Sequence, residues 1–204
     1  MAEIISYCKI YSNKILKDNQ AILELSNLSL DEFLIKAYEF LKINYPKYYK
    51  MDRLCKLGLL GSEVLLSGQS KLKSESTSVI LSNSNSSLDT DLRFWDSVKS
   101  AASPSLFVYT LPNIVAGEIC IRNGFKGESN FFITPSFDPV WMANCVDQTL
   151  SSHNIDSCIA GWVDVLSDQA EVFLYLTIKE GKGICPHTAD NIRELYHGRI
   201  SAKS

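Results

Sequence analysis

The side chains that most often carry out chemistry are few in this sequence, and they are scattered. The chain has no G-x-G-x-x-G, no G-x-x-x-x-G-K-S/T, no G-x-S-x-G and no H-E-x-x-H. Its three histidines, His153, His187 and His197, stand at the end of a predicted helix and in the C-terminal segment. We expect each of them to be a surface residue rather than a metal ligand or a catalytic base.

The six cysteines do not suggest a metal site or a redox motif. No two of them form a C-x-x-C pair, and none combines with a histidine at the spacing of a zinc site. Most of them lie in apolar or helical stretches, which favours reduced thiols that are buried as small hydrophobic side chains. They are Cys8, Cys55, Cys120, Cys145, Cys158 and Cys185. The sequence therefore predicts neither a bound metal nor a cofactor.

One pair of carboxylates, Asp89 and Asp91, stands close together in the sequence. Both fall at the start of a predicted helix, where negative charge interacts favourably with the helix dipole. We interpret them as residues that cap and stabilise this helix start rather than as a catalytic pair.

The composition is that of an ordinary globular protein. The chain has 204 residues, of which 46% are apolar and 21% charged, so we expect a single domain over residues 1–204. Its 20 basic and 23 acidic residues give a net charge of −3, which argues against a nucleic-acid partner. Charged residues interrupt residues 1–20, and no stretch is long and apolar enough to cross a membrane. We therefore predict a cytoplasmic protein without a membrane partner.

Short apolar strands alternate with amphipathic helices along the chain. Strands are predicted at residues 4–11, 78–82, 130–134, 157–165 and 170–179. Helices are predicted at 31–43, 50–67, 89–100, 112–122, 139–152 and 189–197, the last with Thr188 as its cap. Gly58 and Gly61 lower the helix propensity of the second helix, and we interpret them as sites of close packing. This alternation predicts an α/β fold with a mixed central sheet that helices cover on both faces.

An ordered series of segments carries a family resemblance. Pro112 and Asn113 open a helix, which ends at a turn that reads G-F-K-G-E-S over residues 124–129. A strand, the helix start Asp138-Pro139, and a segment D-S-C-I-A-G-W over residues 156–162 follow. Over residues 50–180 this series resembles the N-terminal half of the β-ketoacyl-acyl-carrier-protein synthases, in the thiolase-like superfamily. Within that family it looks most similar to synthase-like proteins of aryl-polyene and flexirubin-type pigment clusters.

The resemblance places the family's nucleophilic cysteine at a residue that is a serine here. That residue is Ser136, seven positions after Ser129 and just ahead of the Asp138-Pro139 helix start. A helix start lowers the pKa of a thiol, whereas a serine hydroxyl titrates far higher and needs an adjacent base. Asp138 adds a carboxylate beside it, which opposes the formation of an anion. The family's second half supplies two histidines, and no segment of this sequence carries their motifs.

Aromatic side chains lie where the resemblance places the acyl chain. Phe131, Phe132 and Trp162 could close that space, but we favour their interpretation as ordinary core aromatics. The resemblance further implies that the strand at 130–134 pairs across a dimer axis.

Two functions remain open at this point. The first is a catalytically inactive synthase-like protein, an accessory or chain-length-factor-like subunit in fatty-acid or polyketide-type (aryl polyene) biosynthesis. It would form a homodimer, or a heterodimer with a β-ketoacyl synthase, and would meet acyl carrier protein. The alternative is an acyltransferase or thioesterase-like enzyme that uses Ser136 as its acyl nucleophile, with a base from His187 or from another chain.

Overall fold

The computed structural model describes residues 1–69 and 72–198. The strands are β1 (Glu3–Tyr11), β2 (Lys14–Lys17), β3 (Gln20–Glu24), β4 (Thr77–Asn83), β5 (Ser129–Ile133), β6 (Ser157–Leu166), β7 (Gln169–Ile178) and β8 (Cys185–Pro186). The helices are α1 (Leu30–Phe40), α2 (Arg53–Leu66), α3 (Leu88–Val98), α4 (Pro104–Phe107), α5 (Ile114–Asn123), α6 (Pro139–Ser151) and α7 (Ala189–His197). The α/β prediction is thus confirmed.

All of the described strands belong to one mixed sheet. Its order is β3-β2-β1-β7-β6-β4-β5, and β8 adds to β1. The strands β5, β4 and β6 are parallel to one another, whereas β6, β7, β1, β2 and β3 pair as antiparallel neighbours. Every residue of β4 is buried, as expected of a parallel strand that is covered on both sides.

Two hydrophobic clusters cover the two faces of the sheet. The larger one packs α1, α2 and α5 onto one face through residues such as Phe33, Leu57 and Ile119. The smaller one packs α6 and α7 onto the other face through residues such as Met142 and Ile192. The predicted covering of both faces is therefore confirmed.

Several boundaries differ from the predictions. The first helix ends at Phe40 rather than near residue 43, and Pro46 opens a 3₁₀ helix, Pro46–Lys50, ahead of α2. No strand was predicted at β2 and β3, which are only four and five residues long. In the structure the consecutive residues at 12–13 and 18–19 adopt positive φ, the pattern of the tight hairpin turns that join β1 to β2 and β2 to β3.

The two glycines of α2 lie at close contacts, as predicted. A Cβ built on Gly58 would come within 2.3 Å of Val115 Cγ2 on α5. A Cβ on Gly61 would lie 3.0 Å from side chains of Val172 and Leu174 on β7. These glycines let α2 approach both a neighbouring helix and the sheet.

The two acidic residues of α3 do more than interact with the helix dipole. Both lie in the first turn of α3, as predicted, but Asp89 is buried. Its carboxylate accepts a hydrogen bond from the backbone N–H of Ser167 at 2.8 Å and lies 3.5 Å from Arg53 Nη1. Asp89 thus ties α3 to the β6–β7 turn and to the start of α2.

The prediction that all three histidines lie at the surface is wrong for His187. His153 and His197 are exposed, whereas the ring of His187 is fully buried. Its Nδ1 lies 2.9 Å from Asp147 Oδ1 on α6, and its Nε2 lies 3.3 Å from the hydroxyl of Tyr175 on β7. This network could not be predicted from the sequence, because Asp147 and Tyr175 are 40 and 12 residues from His187 and meet it only in the tertiary fold.

All six cysteines are free. Cys8, Cys55 and Cys158 are buried, and the other three are partly buried. Burial raises the pKa of the Cys8, Cys55 and Cys158 thiols well above the usual range, so these thiols stay protonated. Within the described residues, no helix has the length and apolar character needed to cross a membrane.

The contact at Gly58 gives a direct test of the packing. In Gly58→Ala the clash with Val115 should outweigh the gain in helix propensity, for a net loss of about 1–2 kcal/mol of unfolding free energy. The matched control is Gly117→Ala on α5, where a Cβ would meet nothing within 4 Å. That variant should gain about 0.5–1 kcal/mol. Urea unfolding of both variants measures the difference, and equal effects would contradict the packing role.

The buried His187 predicts how stability depends on pH. Burial lowers its pKa, although the Asp147 carboxylate opposes that shift. The unfolded chain therefore binds more protons below about pH 6.5, and stability should be full above that pH and fall as the pH drops below it. In His187→Gln this part of the pH dependence should disappear. In the control His197→Gln, which changes an exposed histidine, this pH dependence should remain. Denaturant unfolding of the unmodified protein and of both variants, from pH 5 to pH 8, measures the difference.

Candidate functional site

Ser136 lies at the carboxyl end of the parallel strands. The backbone N–H of Thr134, which follows β5, donates to the carbonyl of Asn83 at the end of β4. Ser136 comes two residues later, is exposed, and precedes the first turn of α6. This edge of a parallel sheet is where α/β proteins generally place their ligand sites. The position predicted from the resemblance is thus accessible from solvent.

The start of α6 is already occupied by a carboxylate. Asp138 is the N-cap, as predicted, and its Oδ1 accepts hydrogen bonds from the backbone N–H groups of Val140 at 2.9 Å and Trp141 at 3.1 Å. Those N–H groups are the donors that would otherwise stabilise an anion at the helix start. The charge of Asp138 also disfavours a second anion beside it. Both the loss of these N–H donors and the charge of Asp138 therefore oppose ionisation of the Ser136 hydroxyl.

Among the described residues, no base forms a hydrogen bond with the hydroxyl of Ser136. Its hydroxyl makes no hydrogen bond with another residue of the described chain. His187 contacts Asp147, which lies about 12 Å along the axis of α6 from Pro139 at about 1.5 Å per residue. The ring of His187 is buried against Tyr175 at that depth. His187 and Ser136 are therefore not brought together within the chain.

Aromatic side chains fill the interior next to Ser136. Phe137 is buried and packs against Trp162, Phe173 and Tyr196, with ring centroids 6.3, 5.3 and 4.8 Å away. Trp162, predicted either to close an acyl space or to be a core aromatic, is a buried member of this cluster. Its members Phe173 and Tyr196 were not predicted, because they come from segments that are distant in the sequence from Phe137.

The other two predicted aromatics point to different sides of the sheet. Phe131 packs partly against the larger cluster, under α5. Phe132 lies edge-on to Trp141 of α6, with centroids 4.8 Å apart. The structure therefore does not bring Phe131, Phe132 and Trp162 into one pocket.

A polar loop beside Ser136 is held by one distant carboxylate. The loop at residues 83–87 reads as low-complexity sequence, yet Asp164 of β6 orders it. Its carboxylate accepts from the hydroxyl of Ser84 at 2.8 Å, and from the backbone N–H and side-chain amide of Asn85 at 3.1 and 2.8 Å. The sequence analysis missed Asp164, because nothing in the local pattern joins residues some 80 positions apart.

The strand β5 forms an open edge of the sheet. Among the described residues it pairs only with β4, so the N–H and C=O groups along its other side are unpaired. Ile133 is 59% exposed and Phe132 is 37% exposed. An apolar edge strand of this kind is a site for pairing with another chain.

The helices α3 and α4 expose an apolar surface. Trp95 is 68% exposed, Phe107 63% and Leu92 51%. The hydroxyl of Ser87, just before α3, donates to the carbonyl of Thr110, which follows α4, and so ties the two helices together. Large exposed apolar patches are uncommon on monomeric proteins and are typical of interaction surfaces.

Comparisons with known proteins give the fold. No protein-family model matches the chain, and no curated protein matches it in sequence. Among solved structures it is similar to the ishigamide ketosynthase/chain length factor, with a TM-score of 0.65 and 15% identity over 91% of this chain and 64% of the other. It is similar to the complex of a ketosynthase (ApeO) with its chain length factor (ApeC) from Xenorhabdus doucetiae. There the TM-score is 0.59 and the identity 10%, over 98% of this chain and 92% of the other.

A third similar structure is that of a type II polyketide acyl-carrier protein in complex with its ketosynthase bound to the hexaketide, AntDE:AntF. The TM-score is 0.58 and the identity 12%, over 87% of this chain and 62% of the other. The chain thus spans somewhat less than two thirds of the length of two of these three. The mixed α/β sheet with helices on both faces is the fold that this chain shares with these ketosynthase and chain-length-factor structures.

Proposed function

We propose that this chain is an accessory, chain-length-factor-like subunit that pairs with a ketosynthase-type partner and does not itself condense acyl thioesters. The observation that carries this proposal is the chemistry at Ser136. An un-ionised hydroxyl stands where the family's thiolate would be, and the helix start behind it is capped by Asp138. The setting is fatty-acid or polyketide-type biosynthesis, of which aryl polyene formation is the specific case we favour.

Condensation on this fold requires a group that takes the acyl chain as a thioester. A thiolate does this because its pKa is low enough for it to ionise near neutral pH, and a serine needs a general base instead. Ser136 has no such base among the described residues, and the aromatic cluster around Phe137 fills the interior beside it. These features together support a subunit that has kept the scaffold without the covalent step.

The open edge at β5 supports a partner. Ile133 and Phe132 are exposed beside unpaired backbone groups, and α3 and α4 add further exposed apolar side chains. An edge of this kind is stabilised when a second strand pairs with it. The similar solved structures include a ketosynthase in complex with its chain length factor, and one in complex with an acyl-carrier protein. By analogy, we propose a ketosynthase or a second copy of this chain at the edge, and an acyl carrier protein as a transient partner.

The alternative, an acyltransferase or thioesterase-like enzyme, draws support from the exposure of Ser136 at the carboxyl edge of the sheet. It requires a base that the described part of this chain does not place at Ser136. A partner would have to supply that base. The mass measurement below separates the two functions.

The first test addresses the nucleophile. The protein, incubated with acyl- and malonyl-carrier protein, should carry no acyl adduct and release no carbon dioxide. Ser136→Cys should react with iodoacetamide faster than the three partly buried cysteines, because it is exposed, yet still release no carbon dioxide. Intact-mass spectrometry and a carbon dioxide assay measure both outcomes. An acyl adduct on Ser136 that is lost in Ser136→Ala would establish the enzyme alternative instead.

The second test addresses the edge. We expect the chain to sediment as a dimer at low micromolar concentration. Ile133→Lys, which puts a charge on the edge strand, should shift it to a monomer. Ile121→Lys on α5 is the matched control, because Ile121 is also exposed, at 66%, but does not lie on the edge. Sedimentation velocity distinguishes them, and two unchanged dimers would show that another surface forms the contact.

A further inference from the structure

A second cleft opens at the sheet edge opposite Ser136. It lies where β4 and β6 begin and β7 ends, and its volume is about 870 Å³. Its apolar wall is formed by Ile5, Leu72 and Ile178, and Lys73, Lys179 and Lys182 also line it. We refer to these six residues as the lysine cleft. Its volume falls in the range of small-molecule sites, which are about 300–1,000 Å³.

Positive charge predominates in the lysine cleft. Three lysines line it, against the two carboxylates of Asp156 and Glu180. Asp156 is already engaged, since it accepts from Ser76 Oγ at 3.0 Å and from Lys73 Nζ at 3.2 Å, and these contacts lower its pKa. The Asp156 carboxylate is therefore already paired, and Glu180 is the remaining carboxylate of the cleft.

The lysines differ in what they already contact. Lys179 donates to the carbonyl of Ser152, just after α6, at 2.9 Å. Lys182 is exposed and makes no hydrogen bond or ion pair with a described residue. Of the three lysines, Lys182 therefore has all of its ammonium N–H donors available to a ligand.

The loop that carries Lys182 is held in place from both sides. Gly181 has φ of +141°, and a Cβ there would lie 2.6 Å from Ile178 Cδ1 in the cleft. A Cβ on Gly183 would lie 2.2 Å from the carbonyl oxygen of Ile4, and the next residue, Ile184, donates its N–H to that carbonyl at 2.8 Å. Close approach of the backbone to β1 therefore fixes Lys182 at the rim of the cleft.

We propose that the lysine cleft binds a small amphiphilic anion, an apolar chain that ends in a carboxylate. The chain would lie on Ile5, Leu72 and Ile178, and the carboxylate would meet the ammonium group of Lys182. Both halves are needed, because surface lysines alone bind anions weakly in water, whereas an apolar chain adds the burial of its methylene groups. The site is separate from Ser136 and does not depend on the function proposed for that residue.

The experiment is calorimetric titration of the full-length protein with dodecanoate, below its critical micelle concentration and at low salt. We expect saturable binding, which Lys182→Glu weakens roughly tenfold because it reverses the charge at the rim. Lys36→Glu on α1 is the matched control, since it makes the same change of charge at an exposed lysine outside the cleft. It should leave the affinity unchanged. Methyl NMR signals of Ile5 and Ile178 should shift on titration.

Two reference compounds test the two halves of the ligand. Inorganic phosphate carries charge without an apolar chain and should bind far more weakly, while dodecyltrimethylammonium carries the chain with the opposite charge and should not shift Ile5 or Ile178. Equal binding of phosphate would overturn the amphiphile class. Equal effects of Lys182→Glu and Lys36→Glu, shifts confined to the apolar surface of α3 and α4, or no binding at all would overturn the site.

Discussion

The parallel pairing of β4 with β5 and β6 is the constraint on which the rest of this structure depends. Because β4 is buried along its whole length, its backbone groups must be paired on both sides, and its neighbours must run in register with it. That register brings the end of β5, the loop at residues 83–87 and Asp164 to one edge of the sheet. It also sets where α6 begins, and so where Ser136 is presented.

The two sheet edges differ in how their charges are satisfied. At the Ser136 edge, Asp138 uses the N–H groups of the helix start and Asp164 uses the donors of the loop, so the local donors are consumed by the chain itself. At the opposite edge, Lys182 keeps its charge free beside an apolar wall. The proposed anion site in the lysine cleft therefore lies at the opposite sheet edge from Ser136, the nucleophile-equivalent position.

Much of the fold was predictable, and the failures have a common cause. The helices α2, α5 and α6 and the strands β4, β6 and β7 follow from apolar periodicity and from caps such as Asp138. The hairpin of β2 and β3 was missed, because strands of four or five residues are too short to show a usable period. His187 was placed at the surface, because its partners Asp147 and Tyr175 are distant in sequence and the burial of an imidazole depends on them.

The sequence by itself determined the α/β alternation, the close-packing glycines of α2 and the serine ahead of a capped helix start. Each of these depends on interactions within a few residues, or on side-chain size, which local sequence encodes. The tertiary structure alone decided that Asp164 orders a loop some 80 residues away and that, among the described residues, β5 is an open edge. It alone assembled a cleft whose lining residues lie far apart in the sequence. Hydrogen bonds and desolvation act between groups that are close in space, and only the folded chain fixes which groups those are.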